Sequence, residues 1–128
     1  MVLNPTKYVN HTRAVGNVTE DIACQYLKKN GLILITKNFS QRIGEIDLIM
    51  KHENVIVFIE VRYRKNINYG YPEETVTLKK QKKIKATALL FIAKNSEFRN
   101  TQPRFDVVAM RPDNNGDNMS INWIQNAF

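Results

Sequence analysis

The sequence predicts a single α/β domain in which a mixed β-sheet of about five strands is flanked by two main helices. Two segments have apolar residues at helical spacing, and several shorter apolar segments are separated by turn residues. These segments follow one another in the order α-β-β-β-α-β-β. A chain of 128 residues is long enough to form one such domain around its own hydrophobic core.

The helices are predicted from apolar residues that recur every three or four positions. The first covers residues 14–30 and ends at Gly31, because glycine readily adopts the left-handed conformation that closes a helix. The second covers residues 77–94, and its inner face carries Ile84, Ala88, Phe91 and Ile92. We expect residues 1–13 to form a flexible arm and residues 14–128 to form the domain.

The strands are predicted from short apolar segments bounded by Gly, Pro, Asn and Asp. They cover residues 32–39, 44–51, 55–64, 105–110 and 121–124. A short turn at 52–54 joins the second strand to the third. A loop with Gly70 and Pro72 follows the third strand, and a turn at 113–117 precedes the last.

Charge and composition narrow the classes of function. The 19 Lys and Arg residues exceed the 12 Asp and Glu residues, which gives a net charge of +7. This excess favours a polyanionic partner, although it is equally consistent with solubility alone. The single cysteine, Cys24, excludes an internal disulfide and argues against a cysteine-based zinc site. Because there is neither a secretory signal nor a run of about 18 apolar residues, we expect a cytoplasmic protein without a membrane partner.

The hairpin formed by the second and third strands carries the most informative residues. Alternation of side chains places Ile46, Leu48 and Met50 on one face of the second strand. The third strand has a matching apolar face formed by Val55, Val57, Ile59 and Val61. Packing the two apolar faces together leaves Asp47 and Glu60 on the same side of the hairpin.

The register of the hairpin decides how close these carboxylates lie. A turn centred on Glu53-Asn54 sets Asp47 opposite Glu60 and Glu45 opposite Arg62, with about 5 Å between opposed Cβ atoms. Two carboxylates at that distance repel each other, and Mg²⁺ or Mn²⁺ would remove the repulsion. A register shifted by two residues would weaken this argument.

A solvent-exposed face with cross-strand salt bridges is the alternative interpretation of these charges. Ile49 and Phe58 share the face, so the carboxylates would lie in a partly apolar surface, which favours a site.

Asp47 and Glu60 are separated by 12 residues. An aspartate that is followed about a dozen residues later by Glu-x-Lys is a known nuclease pattern. The chain resembles the small bacterial YraN family of predicted nucleases, within the restriction-endonuclease-like superfamily, which is similar to Holliday-junction resolvases. The matching residues are Gly16, Glu20, Ala23, Leu27, Asn38, 44–49, 60–64, Gly70, Pro72, Val76, Lys80, Gln81, 104–108, Trp123, Ile124, Ala127 and Phe128.

The resemblance implies a restriction-endonuclease-like fold and roles for four residues. Asp47 and Glu60 would bind Mg²⁺ or Mn²⁺, and Glu20 on the first helix would orient the attacking water. A helix-surface glutamate without such a role is the alternative for Glu20. Arg62 stands where the superfamily has lysine. Arginine stays charged and cannot act as a base, but it can bind a phosphate.

A basic cluster at the start of the second helix is a candidate phosphate-binding surface. It comprises Lys79, Lys80, Lys82 and Lys83, followed by Lys85. Cations are mildly unfavourable near a helix N-terminus, and a phosphate backbone would offset this. A solvated helix partly compensated by Glu73 and Glu74 is the alternative.

Further contacts are expected around these groups. Arg64 and Lys65 lie in a segment that ends at Tyr71 and in which basic and aromatic residues alternate. Such a segment suits stacking on nucleic-acid bases. The alternative is that the aromatic side chains cap the hydrophobic core. Glu45 and Gln81 are accessory candidates. His11 and His52 have no metal-binding spacing and receive no role.

The leading hypothesis is a Mg²⁺-dependent endonuclease-like protein that acts on structured or damaged DNA by phosphodiester hydrolysis. One alternative is a non-catalytic nucleic-acid-binding module of the same fold, because Arg62 replaces the lysine. A second alternative is a protein-interaction adaptor. Analogy with resolvases also implies a homodimer.

Overall fold

The computed structural model describes residues 11–66, 71–72, 76–113, 116 and 118–128, with side chains from residue 17 onward. Its helices are α1 (His11–Lys29) and α2 (Leu78–Lys94), with a short 3-10 helix at Ser96–Phe98. Its strands are β1 (Ile33–Gln41), β2 (Gly44–His52), β3 (Val55–Tyr63), β4 (Gln102–Pro112) and β5 (Met119–Ile124). The predicted α/β class and the order α-β-β-β-α-β-β are confirmed.

One mixed sheet contains all five strands in the order β1-β2-β3-β4-β5. The β1–β2, β2–β3 and β4–β5 pairs are antiparallel, whereas β3 and β4 are parallel. A parallel pair needs a crossover connection, and α2 lies in the chain between these two strands.

The two helices cover opposite faces of the sheet, because the central strands β2, β3 and β4 bury apolar side chains on both sides. On one face Ala23, Cys24 and Leu27 of α1 pack with Leu48, Met50, Val57, Ile59 and Val61. On the other face Ile84, Ala88 and Phe91 of α2 pack with Ile49, Ile56 and Phe58. The result is three layers, helix on sheet on helix, with β2 and β3 buried in the middle.

The ends of α1 illustrate which boundaries were predictable. The C-terminal end is confirmed: Gly31 has a φ of 93°. Its N–H donates to the Lys28 carbonyl at 3.1 Å, and the Leu32 N–H donates to the Leu27 carbonyl at 3.1 Å. The predicted start was wrong, since α1 begins at His11 and takes residues 11–13 out of the expected arm. Residues 1–10 lie outside the described part of the chain.

Strand β4 is longer than predicted. The parallel pairing with β3 runs from Val55↔Gln102 to Tyr63↔Met110, so polar residues before Phe105 belong to the sheet. Their hydrogen-bonding partner lies far away in sequence, and local composition therefore could not indicate the strand end.

The predicted face of Ile46 was also wrong. Ile46 packs with Ile49 and Phe58 against α2, not with Leu48 and Met50 against α1. The alternation of β2 is therefore broken at Asp47. Strand β1 is irregular beside it, because its register with β2 shifts between Leu34 and Thr36 and Asn38 has a φ of 52°. Such irregularity re-aims side chains.

Candidate metal and nucleic-acid site

The β2–β3 hairpin has the register that the sequence predicted. His52 pairs with Val55 across a turn formed by Glu53 and Asn54. The pairs continue as far as Leu48↔Ile59, and the next positions along the two strands are Asp47 and Glu60. The hairpin therefore brings these two acids to the same level of the sheet.

At this level a side chain takes over the hydrogen bonding of the ladder. Oδ2 of Asp47 accepts a hydrogen bond from the backbone N–H of Val61 at 2.8 Å. The carboxyl groups of Asp47 and Glu60 also share a hydrogen bond. The two acids are thus in direct contact, and Asp47 is held by the backbone of β3.

The predicted cross-strand position of Glu45 opposite Arg62 was wrong. The β2–β3 ladder ends at Leu48↔Ile59, and Glu45 pairs with Ser40 of β1 instead. The side chain of Glu45 is exposed, whereas that of Arg62 is half-buried. Beyond Leu48↔Ile59 the Val61 N–H donates to the Asp47 side chain, and no backbone pairing with β2 continues there.

The electrostatic environment of Glu60 is that of a buried acid beside another acid. Its side chain is only 5% exposed. Burial, the hydrogen bond with Asp47 and the charge of Asp47 raise the pKa of Glu60 from 4.5 to about 9. Lys80 and Arg62 oppose this increase in the pKa. The Nζ atom of Lys80 lies 3.5 Å from Oε2 of Glu60, so α2 delivers one predicted phosphate-binding lysine directly to the acid pair.

Helix α1 brings a third carboxyl group towards the pair from the other face of the sheet. Burial first, and then the charge of Asp47, raise the pKa of Glu20 from 4.5 to about 7. A hydrogen bond from Asn38 lowers the pKa, and the charge of Glu45 raises it further. Glu20 therefore lies close enough to Asp47 for the two charges to interact.

Asn38 is a site residue to which sequence reasoning gave no role. It combines a left-handed backbone, with a φ of 52°, and a side-chain hydrogen bond to Glu20. Asparagine tolerates this backbone conformation better than most residues. An asparagine that interrupts an otherwise strand-like segment is the signal that could have pointed to it.

The acid pair has the chemistry of a hard-cation site. Mg²⁺ takes one or two carboxylates and completes its octahedral shell with water, substrate oxygens or other oxygen donors. Asp47 and Glu60 supply two carboxylates in contact, and the raised pKa of Glu60 shows how poorly the protein alone compensates a second negative charge. Within the described residues, no group of three or more His, Cys, Asp or Glu side chains is arranged to hold a metal. A pair of carboxylates is within the number that Mg²⁺ takes from a protein when water and substrate oxygens complete its shell.

The other basic candidates are mostly surface side chains. Lys65, Lys79, Lys82 and Lys83 are exposed, and Arg64 is half-buried. The start of α2 is capped by Thr77, whose side-chain oxygen accepts from the Lys80 N–H at 3.2 Å. Gln81, an accessory candidate, donates from Nε2 to the Val76 carbonyl at 3.1 Å, so its amide stabilises the entry into α2.

A second acidic centre has a structural role. Asp106 is fully buried and accepts hydrogen bonds from Arg104, Trp123 and the backbone N–H of Asn126, all at 2.9 Å. Arg104 also lies 3.0 Å from Nδ1 of His52. Both oxygens of this carboxylate are bonded to donors on β4, β5 or the C-terminal segment. In the sequence Asp106 stands out only within the matching segment 104–108, and no local pattern distinguishes such an acid from a catalytic one.

Comparisons with known proteins assign the chain to a family. The model of the uncharacterised protein family UPF0102 matches residues 19–110, which include Glu20, Asp47, Glu60 and the start of α2. Among the described residues, no helix combines the length and apolar character needed to cross a membrane.

Bacterial relatives match almost the whole chain. A UPF0102 protein of Vibrio vulnificus is 47% identical over 117 residues, which cover 91% of this chain and 93% of the relative. A UPF0102 protein of Caldanaerobacter subterraneus subsp. tengcongensis is 44% identical over 119 residues, covering 91% and 95%. One of Coxiella burnetii is 43% identical over 117 residues, covering 91% and 93%. The chain therefore belongs to the UPF0102 family.

Proposed function

We propose that this protein is a metal-dependent endonuclease-like protein that binds nucleic acid and hydrolyses phosphodiester bonds in structured or damaged DNA. The observation that carries the proposal is the buried contact between Asp47 and Glu60, with the ammonium group of Lys80 beside it. The resemblance to restriction-endonuclease-like nucleases assigns the same two acids to the metal. A cytoplasmic location and a homodimer belong to the same proposal.

Two acids would hold the ion. Asp47 is fixed in orientation by the Val61 N–H, and Glu60 faces it from the neighbouring strand. A bound Mg²⁺ or Mn²⁺ supplies Lewis-acid stabilisation of the phosphate and lowers the pKa of water at the site. Glu60 would hold the ion as a carboxylate, because a metal ligand of this kind must be deprotonated.

Three further side chains would act on the substrate. Glu20, with a pKa of about 7, can hold or accept a proton near neutral pH, which suits a group that orients attacking water. Lys80 and Arg62 place positive charge beside Glu60, where it can bind the oxygens of the phosphate. The exposed lysines of α2 would then bind neighbouring phosphates of the strand.

The second candidate is a nucleic-acid-binding module of the same fold without catalysis. Arg62 favours it, because arginine at the position of the superfamily lysine cannot exchange a proton. Lys80 favours the catalytic proposal, since it brings an amine to within 3.5 Å of the same carboxylate from a different element.

The decisive experiment combines metal binding with cleavage. The protein is incubated with junction, flap, single-stranded and duplex DNA in the presence of Mg²⁺ or Mn²⁺, and metal binding is measured by calorimetry. We expect Asp47→Ala to lose both metal binding and cleavage. Glu97→Gln is the matched control, because this acid of the short 3-10 helix is exposed and has no part in the site. Metal-dependent DNA binding without cleavage would select the second candidate, and unchanged metal binding in Asp47→Ala would contradict both.

A further inference from the structure

An exposed aromatic residue, Tyr71, and a half-buried cationic residue, Arg111, form a pair that the proposed chemistry does not use. The side chain of Tyr71 is 45% exposed, the only aromatic among the large exposed apolar side chains of the described residues. The guanidinium carbon of Arg111 lies 5.3 Å from the centre of its ring. Arginine over a tyrosine face is a stabilising cation–π arrangement that helps to hold the ring in place, and almost half of the Tyr71 surface stays exposed.

Arg111 lies near the carboxyl end of β4, one of the two parallel strands. Tyr63 of β3 pairs with Met110 of β4, and the Arg64 N–H continues the pairing by donating to the Met110 carbonyl at 3.1 Å. Arg111 therefore lies beside Arg64. In open α/β sheets, ligands bind at the carboxyl ends of parallel strands.

Arg111 also shares a face of the sheet with the acid site. Glu60 pairs with Val107 and Arg62 with Ala109, so alternate residues place Arg111 on the same face as Glu60 and Arg62. Four residues of strand separate Glu60 from Arg64, which corresponds to about 13 Å. A nucleic-acid strand covers that distance with about four stacked nucleotides.

We propose that Tyr71, supported by Arg111, is a stacking platform for an unpaired base of a DNA strand whose phosphate lies at Asp47 and Glu60. This inference rests on the proposed function and narrows its substrate to DNA with unpaired bases close to the scissile phosphate, such as a flap or a single strand. A ring face accepts any base, so the platform selects unpaired structure and not sequence. Arg62, Arg64 and Arg111 provide positive charge along the path between the acids and the ring.

The test measures affinities for a single-stranded oligonucleotide, a flap and a fully paired duplex by fluorescence anisotropy. Ca²⁺ replaces Mg²⁺ in these titrations, so that a divalent ion is present while Mg²⁺-dependent cleavage is avoided. We expect Tyr71→Ala to weaken binding of the single strand and the flap by about tenfold, since stacking contributes about 1–3 kcal/mol per base. Duplex affinity should stay within about twofold, because a paired base offers no free face. Tyr71→Phe should retain the parental affinities, and Arg111→Met should fall between the two.

Leu89→Ala is the matched control, because Leu89 is an exposed apolar residue of α2, 68% exposed, with no part in the platform. Calorimetry of metal binding accompanies each variant. Equal loss for duplex and single strand in Tyr71→Ala, or no loss for either, would overturn the platform while metal binding and cleavage by the parent uphold the proposed function. If the parent binds none of the three DNAs, the platform and the proposed function both fail.

Discussion

The burial of Glu60 beside a second acid destabilises the fold, whereas the same arrangement suits the proposed metal site. It is almost fully buried against a second carboxyl group, and Lys80 and Arg62 only partly offset the repulsion. A residue chosen for stability alone would avoid this arrangement, because burying an acid favours its neutral form. The arrangement makes sense when a cation is to be bound, since the ion compensates both charges.

The pKa of Glu60 predicts how stability depends on pH without metal. The folded protein retains a proton on Glu60 up to about pH 9, whereas the unfolded chain releases it near the ordinary value of 4.5. The free energy of unfolding should therefore decrease as the pH rises between these values. Glu60→Gln removes this dependence, and we expect it to gain stability relative to the parent between pH 5 and pH 8, on the order of 1–3 kcal/mol.

Urea unfolding of both proteins in EDTA at several pH values measures this difference. The control is Asp21→Asn, whose acid is 67% exposed and bonded to a surface lysine. Parallel pH profiles for the parent and Glu60→Gln would contradict the raised pKa.

Arg62 tests whether the protein is an enzyme. We expect weak Mg²⁺-dependent nicking by the parent and loss of most of it in Arg62→Ala, with metal binding retained, because the arginine charge would act on the phosphate and not on the metal. If a proton-exchanging amine is needed instead, Arg62→Lys should gain about 10- to 100-fold in activity. Single-turnover cleavage of flap and junction DNA measures both variants. Catalysis is refuted if neither the parent nor Arg62→Lys cleaves any structured DNA while folded and metal-bound.

At the scale of elements, the hairpin shows what a sequence can predict. The apolar faces excluded a slip by one residue, which would have turned one of them outward. The short turn at Glu53-Asn54 then separated the observed register from one shifted by two residues. The break at Asp47 and the turned Ile46 were not predictable from β2 alone. The left-handed Asn38 of β1 lies opposite Asp47, between the pairs Lys37↔Leu48 and Phe39↔Ile46. Irregularity of this kind is set by the partner strand.

The lysines at the start of helix α2 lie in two different environments. Lys80 points to Glu60, whereas Lys79, Lys82 and Lys83 are exposed. The sequence grouped all four, because periodicity identifies an amphipathic helix but not the single side chain that reaches a neighbouring strand. Only the three exposed lysines are suited to binding phosphates away from the acid pair.

Neutralising the exposed lysines should weaken DNA binding without a preference for sequence. Affinity depends less on salt when fewer cationic side chains bind phosphates. Changing Lys79, Lys82 and Lys83 to Gln should therefore flatten the slope of log affinity against log salt concentration, by an amount that corresponds to about one to three charges. Anisotropy titrations at several salt concentrations measure the slope. A triple variant of Lys28, Lys29 and Lys51, which are also exposed, matches the charge change elsewhere. Equal slopes for the two triple variants would assign the α2 lysines to solubility.

At the scale of the whole molecule, the site is assembled from all three layers. Glu20 comes from α1, Asp47 and Glu60 from the central strands, and Lys80 from α2. The sequence could predict the pair within the hairpin, because its geometry is local. It could assign Glu20 only through the resemblance, since the packing of a helix on a sheet is not encoded in the spacing of one segment. The role of Asp106 also could not be assigned from local spacing, because only its hydrogen-bond donors in the folded structure distinguish it from a catalytic acid.

Asp106 and Asp47 should therefore behave as opposites when each is changed to asparagine. Asp106 pairs in register with Ile59, which packs against α1, so its side chain lies on the face opposite to Glu60. Asp106→Asn leaves Arg104 without its charged partner and places an amide among donors, which should cost about 3–5 kcal/mol in urea unfolding. Metal binding at Asp47 and Glu60 should remain in the folded fraction.

Asp47→Asn should lose the metal and keep or gain stability, because one of two repelling acids becomes neutral. Calorimetry and unfolding of both variants test the two roles together. Loss of metal binding in folded Asp106→Asn would place Asp106 in the functional site and end its interpretation as the buried tie between β4, β5 and the C-terminal segment.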